Sequence, residues 1–397
     1  MKKYLVGGAV RDMLLGRENK DKDYVIVGSN VKEMISLGFN SVGKSFPVFL
    51  HPDVEGEYAL ARTEKKSGSR HVDFECFTED VSLEDDLKRR DLTINAIAYD
   101  EGEFIDPFGG QDDIERKILR PVSSAFKEDA LRILRAARFR AELGSEWQFD
   151  ASLQEYTSEI KEELRYISKE RIYKESEKAM RAAKPSIFFN SLLCLGVLDI
   201  VFPWLHDLTK IEHNNVYHQE GAVFNHVMMA LDLCKDENAR WAVLFHDVGK
   251  YQSFLEDGNF HRHYDEKILK SVFKDIQNTL ILRREELNIS KFFALHHHGL
   301  QNVFKNSMKA SKIAALLCKV RKKKKLESLL EAALADLEGR VGLKNDLFFT
   351  KEQVVQMWLL LKNTNYGVNH ESMGVNQIRS AITHKQTNII KEFIQSL

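Results

Sequence analysis

No run of about 18 apolar residues occurs in this 397-residue chain, which argues against a helix that spans a bilayer. Met1-Lys2-Lys3 leads within a few residues to paired glycines rather than to an apolar h-region, so no secretory signal is expected. Cysteine is scarce. Cys76, Cys194, Cys234 and Cys318 stand far apart, form no zinc-like pairs, and point to reduced thiols and a cytoplasmic location. A surplus of charge is also missing: the formal net charge is −1, which excludes blanket affinity for nucleic acid. Any RNA contact must then draw on positive charge gathered locally. There is neither an internal repeat nor a low-complexity segment. What the chain does have is apolar mass. A hydrophobic fraction of 43% is ample for real cores, and the length predicts about two to four domains.

The chain is organised around its first two dozen residues. Lys3 to Val6 reads as a strand that breaks at Gly7-Gly8 and opens a helix through Leu15. Paired glycines allow a tight turn and the close approach of a phosphate, and a helix N-terminus favours an anion. Arg11 can add a bidentate clamp. Asp21-Lys22-Asp23-Tyr24-Val25-Ile26-Val27 reads as the next strand. Side chains alternate along a strand, so Asp21 and Asp23 point the same way. Two adjacent carboxylates repel unless a cation lies between them, and magnesium, a hard ion that arrives with substrate phosphates, fits that need.

Residues 1 to about 120 alternate strand and helix signals. Val48-Phe49-Leu50, Glu57 to Arg62 and Val72 to Phe77 read as strands, and Lys65 to Arg70 as a mobile basic loop. Glu57 either points a third carboxylate at the metal or faces solvent. Leu83 to Ala96 has an acidic start and basic continuation that suit a helix dipole. Beyond Pro121 the chain turns helical. Arg132, Arg135 and Arg138 recur every third residue along one side of a helix, as a solvated face or as a functional ridge, and Asp129 with Arg132 can present acceptor and donor together. Ser168 carries a capping signal. Farther on, His226, the adjacent His246-Asp247 and Asp336 form a mixed nitrogen and oxygen set suited to a transition metal or magnesium. Burying an adjacent His-Asp pair is costly unless the two bind something. The basic run Arg321 to Lys325 suits a solvated turn or contact with RNA phosphates.

Taken together, these motifs resemble the class II tRNA nucleotidyltransferases, the CCA-adding enzymes, of the gamma-proteobacterial type with a C-terminal HD phosphohydrolase domain. Gly7-Gly8-Ala9-Val10-Arg11-Asp12 with Asp21-x-Asp23 matches the first motif, Arg89-Arg90-Asp91-Leu92-Thr93-Ile94-Asn95-Ala96 the second, and Asp106 to Gly110 with Asp113 the domain-closing turn. Glu128-Asp129-x-x-Arg132 matches the base-reading motif, and Ile167 to Glu175 the last head-and-neck motif, with Arg171 and Glu175 bracing the base-reading helix. Among the later histidines His261, His263 and His296 to His298 are further HD candidates, His297 aligning best. The glycines that usually flank the earlier pair are replaced by Arg262 and Tyr264.

The resemblance implies an α+β protein: a polymerase-beta-like head of small mixed sheet and helices over 1–120, then all-α parts. These are a helical neck over 121–210, an HD domain over 211–345 and a tail over 346–397. It implies Asp21 and Asp23 as catalytic magnesium ligands, with Gly8, Arg11, Arg90, Asp91, Asn95, Asp129, Arg132, Arg135 and Arg138 around the nucleotide. His226, His246, Asp247 and Asp336 would hold nickel or another divalent transition metal. The implied partners are tRNA, CTP and ATP, with no membrane, in a monomer or homodimer. The implied reaction is addition of CCA to tRNA, with 2′,3′-cyclic phosphodiesterase, 2′-nucleotidase and phosphatase activity at the HD site. Alternatives are a poly(A) polymerase or a partial CC- or A-adding enzyme and, in another class, an HD hydrolase with a nucleotide-sensing N-terminal domain.

Overall fold

The computed structural model describes residues 1–18, 21–42, 48–66, 74–212, 221–340, 346–367 and 374–397, with backbone alone for 64–66 and 74–76. It parts into two compact units: residues 1–182 with 187–201, and residues 183–186 with 202–397. We retain the four expected segments as a proposed finer division.

The first unit opens with β1 (Lys2–Val6), α1 (Gly8–Leu14), β2 (Asp23–Val27), α2 (Val31–Ser36), β3 (Asn40–Val42), β4 (Val48–His51) and β5 (Val54–Leu60). The hairpin of β6 (Thr63–Lys66) and β7 (Phe74–Phe77) follows, then α3 (Leu83–Lys88), β8 (Ala98–Asp100) and β9 (Glu103–Ile105). Seven strands form one mixed sheet in the order β3-β4-β5-β2-β1-β8-β9. Only β2 and β5 run parallel; the other neighbours are antiparallel. Val72, Asp73 and residues 67–70 of the expected basic loop lie outside the described residues.

Both faces of the sheet are covered, and alternation along β2 shows why. Val25 packs with Tyr4, Val6, Leu87 and Ala98 on one side, while the next residue, Ile26, packs with Met34, Phe49 and Leu60 on the other. Asp23 has the parity of Val25, so it stands at the start of that face. The break after β1 requires glycine. Gly7 has φ +73°, and a Cβ there would stand 3.0 Å from Arg90 Nη1.

The helical part of this unit comprises α4 (Gly110–Glu115), α5 (Leu131–Leu143), α6 (Ala151–Ile160), α7 (Lys169–Met180), α8 (Ser186–Cys194) and α9 (Leu198–Val201). Asp106 accepts from the N–H groups of Gly110 and Gln111, both at 2.8 Å, which fixes the turn into α4. Ser168 caps α7, as its position predicts. Asp129 lies just before α5, not inside it, on extended backbone, and its Oδ1 accepts from the Leu131 N–H.

The second unit is helical throughout its described elements: α10 (Pro203–His206), α11 (Val223–Leu233), α12 (Glu237–Leu244), α13 (Gly249–Asp257), α14 (Glu266–Thr279) and α15 (Arg284–Phe304), followed by α16 (Ala310–Cys318), α17 (Lys323–Glu338), α18 (Lys351–Asn363) and α19 (Val375–Gln395). Helices α12, α15 and α17 pack on one another, and α11 lies against α17. Among the described residues no helix is long and apolar enough to cross a membrane.

Candidate active site and candidate metal centre

The parallel pairing of β2 with β5 places Asp23 directly beside Glu57. Neighbouring strands lie roughly 4.8 Å apart, so these carboxylates repel at close range. Burial pushes the Asp23 carboxyl above its usual range, Glu57 and Asp21 push it further, and Arg90 opposes them. A carboxylate crowded by two others in this way fits a hard divalent cation such as magnesium. Glu57 thus stands beside Asp23 and is itself exposed to solvent.

Beside these acids opens a cavity of about 600 Å³, lined by nine Arg and Lys side chains against five carboxylates. It contains every nucleotide-site residue expected from the sequence: Gly8, Arg11, Arg90, Asp91, Asn95, Asp129, Arg132, Arg135 and Arg138, with Asp23 and Glu57. Asp21 precedes β2 and is not among the lining residues. Arg62, Arg89, Glu142 and Lys178 also line the cavity. The sequence signalled only Arg89, through its place beside Arg90.

A chain of polar contacts organises the floor. Arg135 Nε donates to Asp91 Oδ2 at 2.7 Å, Asn95 donates to Asp91 Oδ1 at 3.1 Å, and Arg11 Nη1 donates to Asn95 Oδ1 at 2.8 Å. Burial alone would raise the Asp91 carboxyl, but Arg135, Asn95 and Arg132 outweigh it and hold it well below the usual range. Arg90 reaches Asp86 Oδ2 at 3.2 Å, and Arg89 reaches Asp86 Oδ1 at 2.6 Å. Buried Asp86 was missed in the sequence, although its spacing of three and four before two arginines at the end of α3 is the signal for it.

The solvated-face reading of the arginine ridge does not hold. Arg138 is only 5% exposed, and its Nε donates to Glu175 Oε2 at 2.6 Å. The guanidinium groups of Arg11, Arg135 and Arg138 lie 5.1, 5.5 and 4.0 Å from the ring centre of Phe139, which gives them one apolar platform. Arg132 Nη1 donates to the carbonyl of Ala125 at 2.9 Å, and Arg171 Nη2 to Asp129 Oδ2 at 2.5 Å.

The second unit brings His226, His246, Asp247 and Asp336 together, all nearly inaccessible. His226 Nε2 stands 3.1 Å from Asp336 Oδ1, and His246 Nε2 stands 3.1 Å from Asp247 Oδ2 and 3.6 Å from Asp336 Oδ1. His246-Asp247 sits in the turn after α12, not within an apolar helix. His263, His297 and His298 form an adjacent group. Asp247 Oδ1 lies 3.7 Å from His263 Nε2 and 3.9 Å from His297 Nε2. His261 lines the same cavity of about 530 Å³ but belongs to neither ligand group, while His296 stands near Lys319 instead.

The donor chemistry fits a transition metal. The Nδ1 atoms of His246, His263 and His297 lie 2.7, 2.5 and 3.0 Å from the carbonyls of Val243, Phe260 and Ala294. A carbonyl only accepts, so each Nδ1 carries the hydrogen and a neutral ring presents the Nε2 lone pair. His263 Nε2 and His297 Nε2 nevertheless face each other at 3.2 Å. Burial pushes both down to about 3, with neighbouring histidines adding to it and Asp247 at His263, and Asp336 and Asp247 at His297, opposing it, so both are neutral near pH 7. Facing lone pairs of this kind call for a cation. Gly249 makes the approach possible, since a Cβ there would collide with the carbonyl of His263. Lys250 Nζ, 2.6 Å from Asp247 Oδ2, and Gln301 and Arg340, both bonded to Asp336, complete the surroundings. Sequence reasoning missed these three. The i+3 and i+4 spacings of Lys250 and Arg340 could have indicated two of them.

The mixed sheet, with carboxylates at one end of its central strands and an arginine-lined cavity beside them, is that of a nucleotidyltransferase. Residues 3–120 match the family described as Poly A polymerase head domain, and residues 148–208 the one described as Probable RNA and SrmB-binding site of polymerase A. Within that class the chain belongs to the multifunctional CCA proteins. It is 42% identical over 360 residues to the Multifunctional CCA protein of Shewanella denitrificans, covering 88% of this chain and 86% of that one. Its identity to the Multifunctional CCA protein of Mannheimia succiniciproducens is 37% over 412 residues, covering 98% and 97%. The fold is similar to the crystal structure of the Bacillus stearothermophilus CCA-adding enzyme in complex with CTP, with a TM-score of 0.65 at 23% identity, covering 98% of this chain and 89% of that one. It is also similar to the Thermotoga maritima CCA-adding enzyme complexed with tRNA_CCA, with a TM-score of 0.58 at 18% identity, covering 99% and 91%.

Proposed function

We propose that this chain adds CMP, CMP and then AMP, from CTP and ATP, to the 3′ end of tRNA. The observation that carries the reading is the placement of paired Asp23 and Glu57 on the same cavity as Asp129 and Arg132. In the reaction the tRNA 3′ oxygen forms a bond to the α-phosphorus, the bond to the β-phosphate oxygen breaks, and pyrophosphate leaves. Asp21, Asp23 and Glu57 supply oxygen donors for magnesium, which when bound would neutralise the triphosphate and lower the pKa of the 3′ hydroxyl. The backbone at Gly8 and the side chains of Arg11 and Arg90 are suited to the phosphates, and Asp91 and Asn95 to the sugar.

Base choice falls to Asp129 and Arg132. Cytosine and adenine each offer an exocyclic amine beside an acceptor ring nitrogen, so a carboxylate can accept from the amine while a guanidinium donates to the ring. Uracil and guanine would leave the carboxylate facing a carbonyl, and an unpaired buried polar group is costly. Arg135 and Arg138, held by Asp91 and Glu175, line the same cavity and are suited to contact the nucleotide.

A second reading, supported by the buried His226–His246–Asp247–Asp336 cluster, is hydrolysis of 2′,3′-cyclic phosphates and 2′-nucleotides. Those four residues would hold nickel or another divalent transition metal, which when bound supplies an activated water. The same cluster disfavours a poly(A) polymerase, and the Asp23–Glu57 pair disfavours a merely sensory N-terminal unit. The deciding experiment incubates the chain with tRNA lacking its 3′ CCA and with each nucleoside triphosphate singly and together. CTP alone should extend the RNA by two residues and CTP with ATP by three. Extension by ATP alone into long tails, or none under any combination, overturns the reading.

A further inference from the structure

The run Arg321 to Lys325 has no part in either proposed reaction, yet it does not simply project into solvent. Lys322, Lys324 and Lys325 line a cavity of about 410 Å³ in the second unit together with Arg284, Asn238 and Asn288. Residues from the N-terminal ends of α12, α15 and α17 therefore meet there. Four cations face a single carboxylate, Glu285. Among the described residues Arg284, Lys322 and Lys324 form no ion pair, so their charge is available to a ligand. Lys325 is held in place, its Nζ 3.4 Å from the Asn288 carbonyl and 4.9 Å from the centre of the Phe292 ring.

The local electrostatics run against the helix. Lys322 is the N-cap of α17 and Lys323 to Lys325 are its first residues, with no side-chain cap and no acid in the first turn. Cations at the positive end of a helix dipole repel it, and an anion seated among them relieves both the dipole and the side chains. No lining residue is aromatic, so the pocket offers nothing for a base to stack on. The ammonium groups of α17 and the Arg284 guanidinium of α15, spread over two helices, suit a polyanion better than one small ion, because each bound phosphate displaces condensed counterions.

We propose that this pocket grips backbone phosphates of a bound tRNA, a sequence-independent contact made by the second unit. The inference rests on the reading that tRNA is the substrate. It also answers how a chain of net charge −1 gathers positive charge for RNA.

The test uses the full chain and a variant carrying Arg284→Gln, Lys322→Gln and Lys324→Gln. Binding of a tRNA transcript lacking CCA is followed by fluorescence anisotropy across salt concentrations, alongside CTP binding by calorimetry and a thermal melt. Each lost phosphate contact should flatten the plot of log affinity against log salt by roughly 0.7 to 0.9, so the triple variant should lose about 2 in slope and bind tRNA about tenfold or more weakly. Its CTP affinity should match the parent, and its melting temperature should be no lower, since fewer cations oppose the α17 dipole. Lys324→Gln alone should show about a third of the slope change. An unchanged slope and affinity overturns the proposal, as does a variant that loses only stabilisation by inorganic phosphate, which would make the pocket a small-anion site. If the parent binds tRNA through these residues but adds no nucleotide, the inference stands and the proposed reaction falls. If the parent adds CCA and the variant binds tRNA equally well, the inference alone falls. A parent with no affinity for tRNA overturns both.

Discussion

Arg171 Nη2 stands 2.5 Å from Asp129 Oδ2, an ion pair between α7 and the residue that leads into α5. The same carboxylate caps the Leu131 N–H through its other oxygen. Both oxygens are therefore oriented before any nucleotide enters, which is what a fixed acceptor for an exocyclic amine requires.

Asp129→Ala should loosen base choice more than it weakens triphosphate binding, because Arg11 and Arg90 remain. A lost hydrogen bond to a charged group is worth about 1.5–3 kcal/mol, so UTP incorporation relative to CTP should rise roughly 10- to 100-fold. Arg171→Ala leaves the acceptor present but loosely held, and should give a smaller rise in the same ratio. Unchanged discrimination with collapsed affinity in Asp129→Ala would show that the residue acts only as a cap.

Removal of either Asp21 or Asp23, at the start of the central strand β2, should abolish nucleotide addition without unfolding the chain. The raised Asp23 carboxyl destabilises the metal-free fold above pH 3.8, its ordinary value, and the penalty grows as pH rises through the folded value. Asp23→Asn should thus melt no lower than the parent at pH 7 in chelator. Added magnesium should raise the melting temperature of the parent and not that of the variant. Near-normal CMP incorporation by Asp21→Ala or Asp23→Ala would remove this pair from the reaction.

Asp91 works in the opposite sense. Its depressed carboxyl contributes stability above pH 3.8 that is lost as pH falls toward the folded value. Asp91→Asn takes the nearer carboxylate from Arg135, leaving Glu175 at 4.0 Å, and should cost about 1.5–3 kcal/mol at pH 7, the worth of a hydrogen bond to a charged group. Urea melts of parent and variant should converge as the pH is lowered below 4, and a constant gap would contradict the assignment.

The two sites should be separable. His246→Ala and Asp247→Ala should abolish hydrolysis of 2′,3′-cyclic nucleotides and lower the nickel or cobalt bound per chain, measured by elemental analysis. CMP and AMP addition should stay within a few-fold of the parent. A parent that hydrolyses nothing with nickel, cobalt, manganese or magnesium would leave the histidine cluster without a hydrolytic role.

Acid should weaken the metal-free second unit. His263 and His297 are held down to about 3, so below pH 6.5 the unfolded chain takes up protons that the folded one refuses. Stability in chelator should therefore fall from pH 7.5 to pH 5, as read by urea denaturation of helix signals. The fall should be smaller in His297→Phe, whose ring does not titrate, with His263 supplying what remains.

Local order was legible in the sequence because it follows short periods. The glycine turn, the cap at Ser168 and the His246-Asp247 doublet each need only neighbours a few residues apart, whereas the strand expected from Asp21 begins only at Asp23. Tertiary structure decided which of these groups act together. Asp23 gains Glu57 only because β2 and β5 run parallel in register, a pairing no local pattern specifies. Arg138 becomes buried support rather than a solvated ridge because Glu175, 37 residues away on α7, accepts its charge. His226 and Asp336, 110 residues apart, meet because α11 packs on α17, and Gly249 lets the backbone of His263 approach. Side-chain direction along one element follows from backbone geometry. Which charges lie side by side in a low-dielectric interior, and hence which carboxyl is raised and which is depressed, follows only from how separate elements pack.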